Sequence, residues 1–341
     1  MLWCWCACKP RSRKLKLSQR LRPPIEHQLD LVRAGVVGAR GHLLQRQRLA
    51  HRHGGAGRYV QRLQLEHLGR RTAVGLDVVN LQVSQHALGL GCGVVQLGLD
   101  THLVADARTT GVPVIASINC IAADDGWTDY AVAMEAAGAA ALELNIFLQP
   151  TDRHRTAQEL EQDYADVVRR VAAAVKIPVS VKLPMRLTNV LAVADSLLAR
   201  GARGVVMFNR FFEPDIDVER MAFVNGNPFS EPAELRNVLR SVALCSTALP
   251  QLDVAVSTGV HDGEAAVKAL LCGANAVQVC SAIHEKGFGV IAGINRFIEQ
   301  WAERHGFESL GEFRGRMDYG NAESDVYQRV QYMKYFPHDA E

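Results

Sequence analysis

No two cysteines stand at Cys-x-x-Cys spacing, so neither a zinc ribbon nor a disulfide framework is written into the chain. Cys4, Cys6 and Cys8 alternate in one short stretch, while Cys92, Cys120, Cys245, Cys272 and Cys280 are scattered among apolar neighbours. They read as free thiols, which fits a reducing, cytoplasmic compartment. No run of eighteen uncharged apolar residues occurs, so a membrane-spanning helix is not expected. Aromatic residues make up only 6%, too few to interleave with the arginines as a base-stacking surface. No Gly-x-Gly-x-x-Gly follows an apolar run, which argues against a dinucleotide fold. Lysine is missing between Lys16 and Lys176.

What is present is divided. Over 341 residues the net charge is +2, but residues 1–99 hold 16 Lys and Arg against 4 Asp and Glu. The remainder is acidic. Residues 1–99 also hold six of the twelve histidines and show no regular exchange of strand and capped helix. Met1-Leu-Trp-Cys-Trp-Cys runs into Lys9, Arg11, Arg13, Lys14 and Lys16, unlike a secretory signal or transit peptide, because the apolar part comes first and both parts are short. Three readings of this region stay open: a basic nucleic-acid arm, a divergent domain, or a translation of the wrong reading frame upstream of a junction near Thr101. The abrupt change in composition favours the third, and the scarcity of aromatics argues against a nucleic-acid partner.

From residue 100 onward the pattern becomes regular. Short apolar runs at Val114–Ile118, Leu142–Ile146, Val179–Leu183, Gly204–Phe208, Val254–Ser257 and Ala276–Val279 predict strands. Helices follow them. Thr156-Ala-Gln-Glu159 is a capping box, and the helix it opens sets Leu160, Tyr164, Val167, Val168, Val171 and Val175 on one face. Asn189 and Asp262 read as N-caps, and Glu231-Pro-Ala-Glu as a helix start with proline in its first turn. Six strand–helix units in strict alternation imply parallel strands with helical crossovers. The fold class is α/β, a (β/α)8 TIM-type barrel of which six units are recognisable. An open doubly wound sheet is the competitor. The division is residues 1–99, anomalous, and 100–341, the barrel domain.

In a parallel barrel, ligands bind at the C-terminal ends of the strands. Here those ends carry Ser117 and Asn119, Asn145, Lys182, Asn209, Thr258-Gly259 and Cys280-Ser281. Asn and Lys can donate to the N1, O2 and O4 positions of a flavin, and a cation near N1 and O2 stabilises the reduced ring. Small residues and hydroxyls after the last two strands suit a phosphate. Taken singly, an Asn at a strand end is most often a turn residue, and a Lys after an apolar run a solvated terminus. Together, the residues alone point to a barrel for a phosphorylated ligand.

Residues from about Thr101 to Met317 resemble the dihydroorotate dehydrogenase family, especially its bacterial dihydroorotate dehydrogenase-like members. The stretches that carry this are Ile115-Ala-Ser-Ile-Asn-Cys120, Leu142-Glu-Leu-Asn-Ile146, Pro178-Val-Ser-Val-Lys-Leu-Pro184, Phe208-Asn-Arg210, Ser257-Thr-Gly-Val-His-Asp-Gly263, Leu270-Leu-Cys-Gly-Ala-Asn-Ala-Val-Gln-Val279 and Phe307-Glu-Ser-Leu-Gly-Glu-Phe-Arg-Gly315. The resemblance implies an FMN-dependent (β/α)8 barrel that oxidises dihydroorotate to orotate in pyrimidine biosynthesis, and it is compatible with a homodimer. It implies that Asn145 serves flavin and substrate, and that Lys182 contacts the flavin ring. Asn209 bonds substrate or flavin. Gly259 and Ser281 cradle the phosphate beside Thr258 and Cys280, and Ser117 lies on the flavin face. No metal is implied.

Two departures limit the expectation. In the family a Cys or Ser three residues after the Asn145 position removes the substrate's proton, and here that position is Leu148, which cannot accept one. No catalytic base is therefore assigned. The family's first two strands also have no convincing counterpart in residues 1–99, which leaves two sheet edges open. The competing expectations are a non-redox isomerase or binder of a phosphorylated ligand, and an inactive truncated barrel.

Overall fold

The computed structural model describes residues 2–7, 76–84, 101–120, 126–148, 151–210 and 214–321, the first two stretches as backbone alone. The chain divides into two compact units, Met1–Arg11 with Leu68–Glu341 and Ser12–His67, and every described residue lies in the first. The three readings of residues 1–99 fall almost wholly outside the described residues.

Six parallel strands form the body of the fold: β3 (Val114–Asn119), β4 (Ala141–Leu144), β5 (Val179–Pro184), β6 (Gly204–Asn209), β9 (Asp253–Val256) and β10 (Ala276–Val279). Each lies where an apolar run predicts it, within two residues. The ring is completed by β1 (Leu2–Ala7) and β2 (Leu76–Ser84), giving a closed barrel in the order β1-β10-β9-β6-β5-β4-β3-β2. Strand β2 is parallel to β3, and β1 runs antiparallel to both β10 and β2. The expectation of two open edges is thus corrected, since the ring closes. Closure pairs the backbone groups that an edge strand leaves unpaired. It escaped the sequence pattern because Leu76–Ser84 is not followed by a capped amphipathic segment. A hairpin of β7 (Pro214–Asp217) and β8 (Ala222–Asn225) stands apart as a second sheet.

Helices pack outside the ring. They are α1 (101–108), α2 (Gly126–Ala137), α3 (Ala157–Ala174), α4 (Val190–Ala199), α5 (Arg236–Ala248), α6 (Gly263–Leu271), α7 (Ser281–Lys286) and α8 (Gly289–Arg304). The Thr156–Glu159 capping box forms, and α3 buries Tyr164, Val167, Val168 and Val171, because their 3–4 spacing puts them on one side of the helix. Asn189 and Asp262 cap α4 and α6 through bonds to Ala192 N and Ala265 N. Among the described residues, no helix is long and apolar enough to cross a membrane.

The ring interior is layered, because alternate residues of each strand point inward. Val206, Ala255 and Ala276 form a small apolar cluster with Ile115 packed on it. Two residues further along their strands, toward the C-terminal ends, Ser117 and Gln278 enter a second, polar layer with Glu143 and Lys182. Two residues on again, Asn145 and Cys280 reach the mouth.

Candidate active site

The polar layer consists of the side chains of four residues, each residue no more than 1% exposed. Ser117 Oγ donates to Glu143 Oε1 at 2.8 Å, Gln278 Nε2 donates to Glu143 Oε2, and Lys182 Nζ donates to Gln278 Oε1 at 3.0 Å. Lys182 Nζ also lies 4.0 Å from Glu143 Oε1. A buried ammonium needs such a partner, since an unpaired one would lose its proton instead. Burial pushes the Lys182 amine down from its ordinary value, and the charges of Glu143 and Cys280 pull it part of the way back. The Cys280 thiol is pushed up by burial and drawn down by Lys182. These two groups therefore sense each other across the floor of the mouth.

Above this layer lies a cavity of about 180 Å³. Its walls include Asn145 after β4, Asn209 and Arg210 at the end of β6, Thr258, Gly259 and Val260 after β9, Gln278 within β10, and Cys280 and Ser281 after it. Pro228, Phe229 and Ser230 form another wall. Asn209 Nδ2 donates to Asn145 Oδ1 at 2.7 Å. That bond leaves the Asn145 amide nitrogen as a donor and the Asn209 amide oxygen as an acceptor, the two kinds of group that a ring –NH–C=O edge requires. Arg210 Nε donates to both carboxylate oxygens of Glu234, and its Nη1 donates to Asn227 O at 2.7 Å.

After β9 the backbone turns through two successive left-handed residues, Thr258 at φ 81° and Gly259 at φ 77°. The first is unfavourable for a β-branched side chain, and Thr258 Oγ1 secures it by donating to Phe208 O at 3.1 Å. A Cβ at Gly259 would collide with the Leu235 backbone, so glycine is needed for space as well as for conformation.

Of the eight binding residues expected from sequence, six line this one cavity: Asn145, Asn209, Thr258, Gly259, Cys280 and Ser281. Ser117 and Lys182 sit beneath it in the polar layer and reach it through Glu143 and Gln278. Leu148 is not among the cavity walls, and its backbone N–H donates to Tyr164 Oη at 3.3 Å. Sequence reading missed Glu143 and Gln278, although each interrupts an apolar run two residues before an expected site residue. It also missed Arg210, Ser230 and His261. Among the described residues no group of His, Cys, Asp and Glu could hold a metal ion. The donor set does fit a flavin chemically, with amide groups for the ring's polar edge, hydroxyls and small residues for a phosphate, and a buried cation beneath.

The model of the dihydroorotate dehydrogenase family matches residues 88–301. A protein of Aeropyrum pernix named "Putative dihydroorotate dehydrogenase A (fumarate)" is 32% identical over 228 residues, covering 62% of this chain and 70% of its own. The catalytic subunit of dihydroorotate dehydrogenase B (NAD(+)) from Methanosarcina acetivorans is 29% identical over 301 residues, covering 84% of this chain and 91% of its own. Chloroplastic dihydropyrimidine dehydrogenase (NADP(+)) of Arabidopsis thaliana is 25% identical over 222 residues, 60% of this chain and 52% of its own. The family match and the Methanosarcina match both extend into the basic first 99 residues.

Proposed function

The chain belongs to the dihydroorotate dehydrogenase family, and from that premise we propose that it is an FMN-dependent oxidoreductase acting on a CH–CH bond of dihydroorotate or a related cyclic amide. The observation that carries this reading is the Asn145–Asn209 pair, bonded at 2.7 Å and lining the cavity. A donor and an acceptor on two amides bonded to each other suit a ring amide, and a pyrimidine has one. The bound flavin would supply the hydride acceptor.

The chain's own residues divide the remaining work. Asn145 and Asn209 orient the substrate's amide edge. Lys182, fixed by Gln278 and Glu143, holds a positive charge under the mouth, which would stabilise negative charge on a bound flavin. Ser281, Thr258 and Gly259 would hold the phosphate end, with Cys280 beside them. Leu148 takes up no proton, so the substrate's proton leaves by another route than in the relatives with Cys or Ser there. The assembly proposed is a homodimer, and the compartment the cytoplasm, consistent with the free thiols of Cys120, Cys245, Cys272 and Cys280.

Leu148 favours one second reading, a barrel that binds a phosphorylated ligand without redox chemistry. Anaerobic mixing of the FMN-loaded chain with dihydroorotate, dihydrouracil and dihydrothymine separates the two. Bleaching of the flavin by any of them supports the oxidoreductase, and a flavin left oxidised by all three removes the proposed substrate class.

A further inference from the structure

The wall of the cavity formed by Phe229 and Ser230 is tied to its far side by a chain of hydrogen bonds. Ser230 N donates to Ser281 Oγ at 2.9 Å, and Ser230 Oγ lies 3.1 Å from Ser281 Oγ. Ser230 Oγ is also 3.1 Å from Nε2 of His261, a residue only 4% exposed that does not itself line the cavity. On its other side, His261 Nδ1 is 3.5 Å from Glu285 Oε2. Counting protons and lone pairs decides what the cavity is shown. Ser230 has one hydroxyl proton, wanted by two neighbours. When His261 is neutral with its proton on Nδ1, facing Glu285, Nε2 accepts the Ser230 proton. Ser281 can then turn its own proton back onto Ser230, and the cavity meets lone pairs. When His261 is protonated, Nε2–H donates to Ser230, Ser230 donates to Ser281, and the lone pairs of Ser281 are filled by the N–H and O–H of Ser230. The Ser281 proton then points into the cavity, at the end of a donor chain with a full positive charge behind it.

We propose that His261 is a positioning residue whose protonation polarises the Ser230–Ser281 hydroxyl pair, so that binding of a ligand's phosphate group is coupled to proton uptake at His261. The proposal rests on the flavin reading above for the identity of the ligand, and on the hydroxyl chain alone for the coupling. The charged groups that face His261 are Glu285, across Nδ1, and Lys286, whose Nζ donates to His261 O at 3.2 Å. The carboxylate of Asp262 is taken by the cap of α6, Glu264 pairs with Lys268, and Glu234 pairs with Arg210. Glu231 joins Glu234 through its backbone N–H. His284, stacked on Phe229 at 4.3 Å between centroids, is a second imidazole on the same wall and must be separated from His261 by mutation.

The test is the affinity of the full chain for FMN and for riboflavin, which lacks the phosphate, at pH 6 and pH 8, in the wild type and in His261→Gln. Dividing wild type by variant cancels the ionisation of the FMN phosphate and of His284. A charged donor chain in place of a neutral one predicts that the wild type's preference for FMN over riboflavin rises about tenfold on going from pH 8 to pH 6, relative to the variant. The same pH dependence in both proteins, or an equal dependence for riboflavin, overturns the coupling. If neither protein binds any flavin at any pH, the flavin reading fails by itself. The coupling is then decided with inorganic phosphate: by linkage it must raise the midpoint of the His261 ring titration seen by NMR, and an unmoved midpoint overturns the proposal. Should His261→Gln not fold, Glu285→Gln serves instead: it must shift the midpoint of the FMN profile to lower pH, and an unshifted profile counts against the proposal.

Discussion

Replacing Glu143 with Gln removes one charge from the centre of the barrel and very little else. The new amide can turn its oxygen to Gln278 Nε2 and its NH2 to Ser117, whose hydroxyl rotates to accept, so these two hydrogen bonds survive. What is lost is the attraction of a carboxylate for the Lys182 ammonium 4.0 Å away, with side-chain exposures of 0% and 2%. At an effective dielectric near 20 that attraction is about 4 kcal/mol. Breaking a buried pair from one side typically costs about 3–5 kcal/mol, so Glu143→Gln is expected to destabilise the fold by about 3–4 kcal/mol. Lys182→Met, which strands the carboxylate and leaves Gln278 Oε1 without its donor, should cost a similar amount. The double variant should cost clearly less than the sum, because no charge is then left unpaired, with a coupling of about 2 kcal/mol or more. Equilibrium urea unfolding at pH 7, followed by tryptophan fluorescence, measures all four corners of the cycle. Costs that add within about 0.5 kcal/mol would refute the claim that these two charges sustain one another.

Further outcomes follow from the same geometry. Because burial lowers the Lys182 amine, the unfolded chain takes its proton first as pH falls through the lysine's ordinary range near 10.4. The Lys182 contribution to stability therefore rises with pH between its lowered value and that range, and the difference between wild type and Lys182→Met should show this slope in urea titrations. Burial pushes the Cys245 thiol up to about 12, so it stays protonated in the fold while an unfolded thiol ionises. Its linkage stabilises the fold below the ordinary thiol range and fades as pH rises toward 12, and at pH 8 Cys245 should react with a disulfide reagent only on unfolding. Gly259→Ala forces a Cβ against Leu235 at a positive φ and should cost about 2 kcal/mol or more in urea unfolding, with loss of flavin binding. If dihydroorotate is the substrate, Leu148→Ser restores a hydroxyl able to accept the proton and should speed anaerobic flavin reduction at least about tenfold. Unchanged reduction would place the proton transfer elsewhere.

The six parallel strands and their helices were legible because each strand is a short apolar run closed by a polar residue, and three of the helices, α3, α4 and α6, have a readable cap in Thr156, Asn189 and Asp262. The closing strands were not. Leu76–Ser84 is apolar enough, but with no capped helix after it the period alone could not tell a strand from a buried loop, and Leu2–Ala7 pairs in the reversed direction, which no βαβ rule anticipates. The mouth was legible at the strand ends, where Asn145, Asn209 and Ser281 interrupt the apolar pattern. The polar layer was not recognised, because Glu143 and Gln278 sit inside strands, where a polar side chain makes sense only once its partners across the ring are known. Ser230 and His261 belong to loops whose approach is set by tertiary packing. The basic composition of residues 1–99 suggests a wrong reading frame, whereas the family match begins at residue 88. Sequencing the locus tests that reading, and one uninterrupted, codon-biased frame would remove it.

The central claim is that this barrel holds a flavin above the Glu143–Lys182 layer. The visible absorption spectrum of the purified chain, before and after saturation with FMN and gel filtration, tests it most directly. The account predicts flavin bands that stay with the protein at close to one per chain, and that weaken in Gly259→Ala. A protein that folds, elutes colourless after FMN loading and quenches no flavin fluorescence would contradict it.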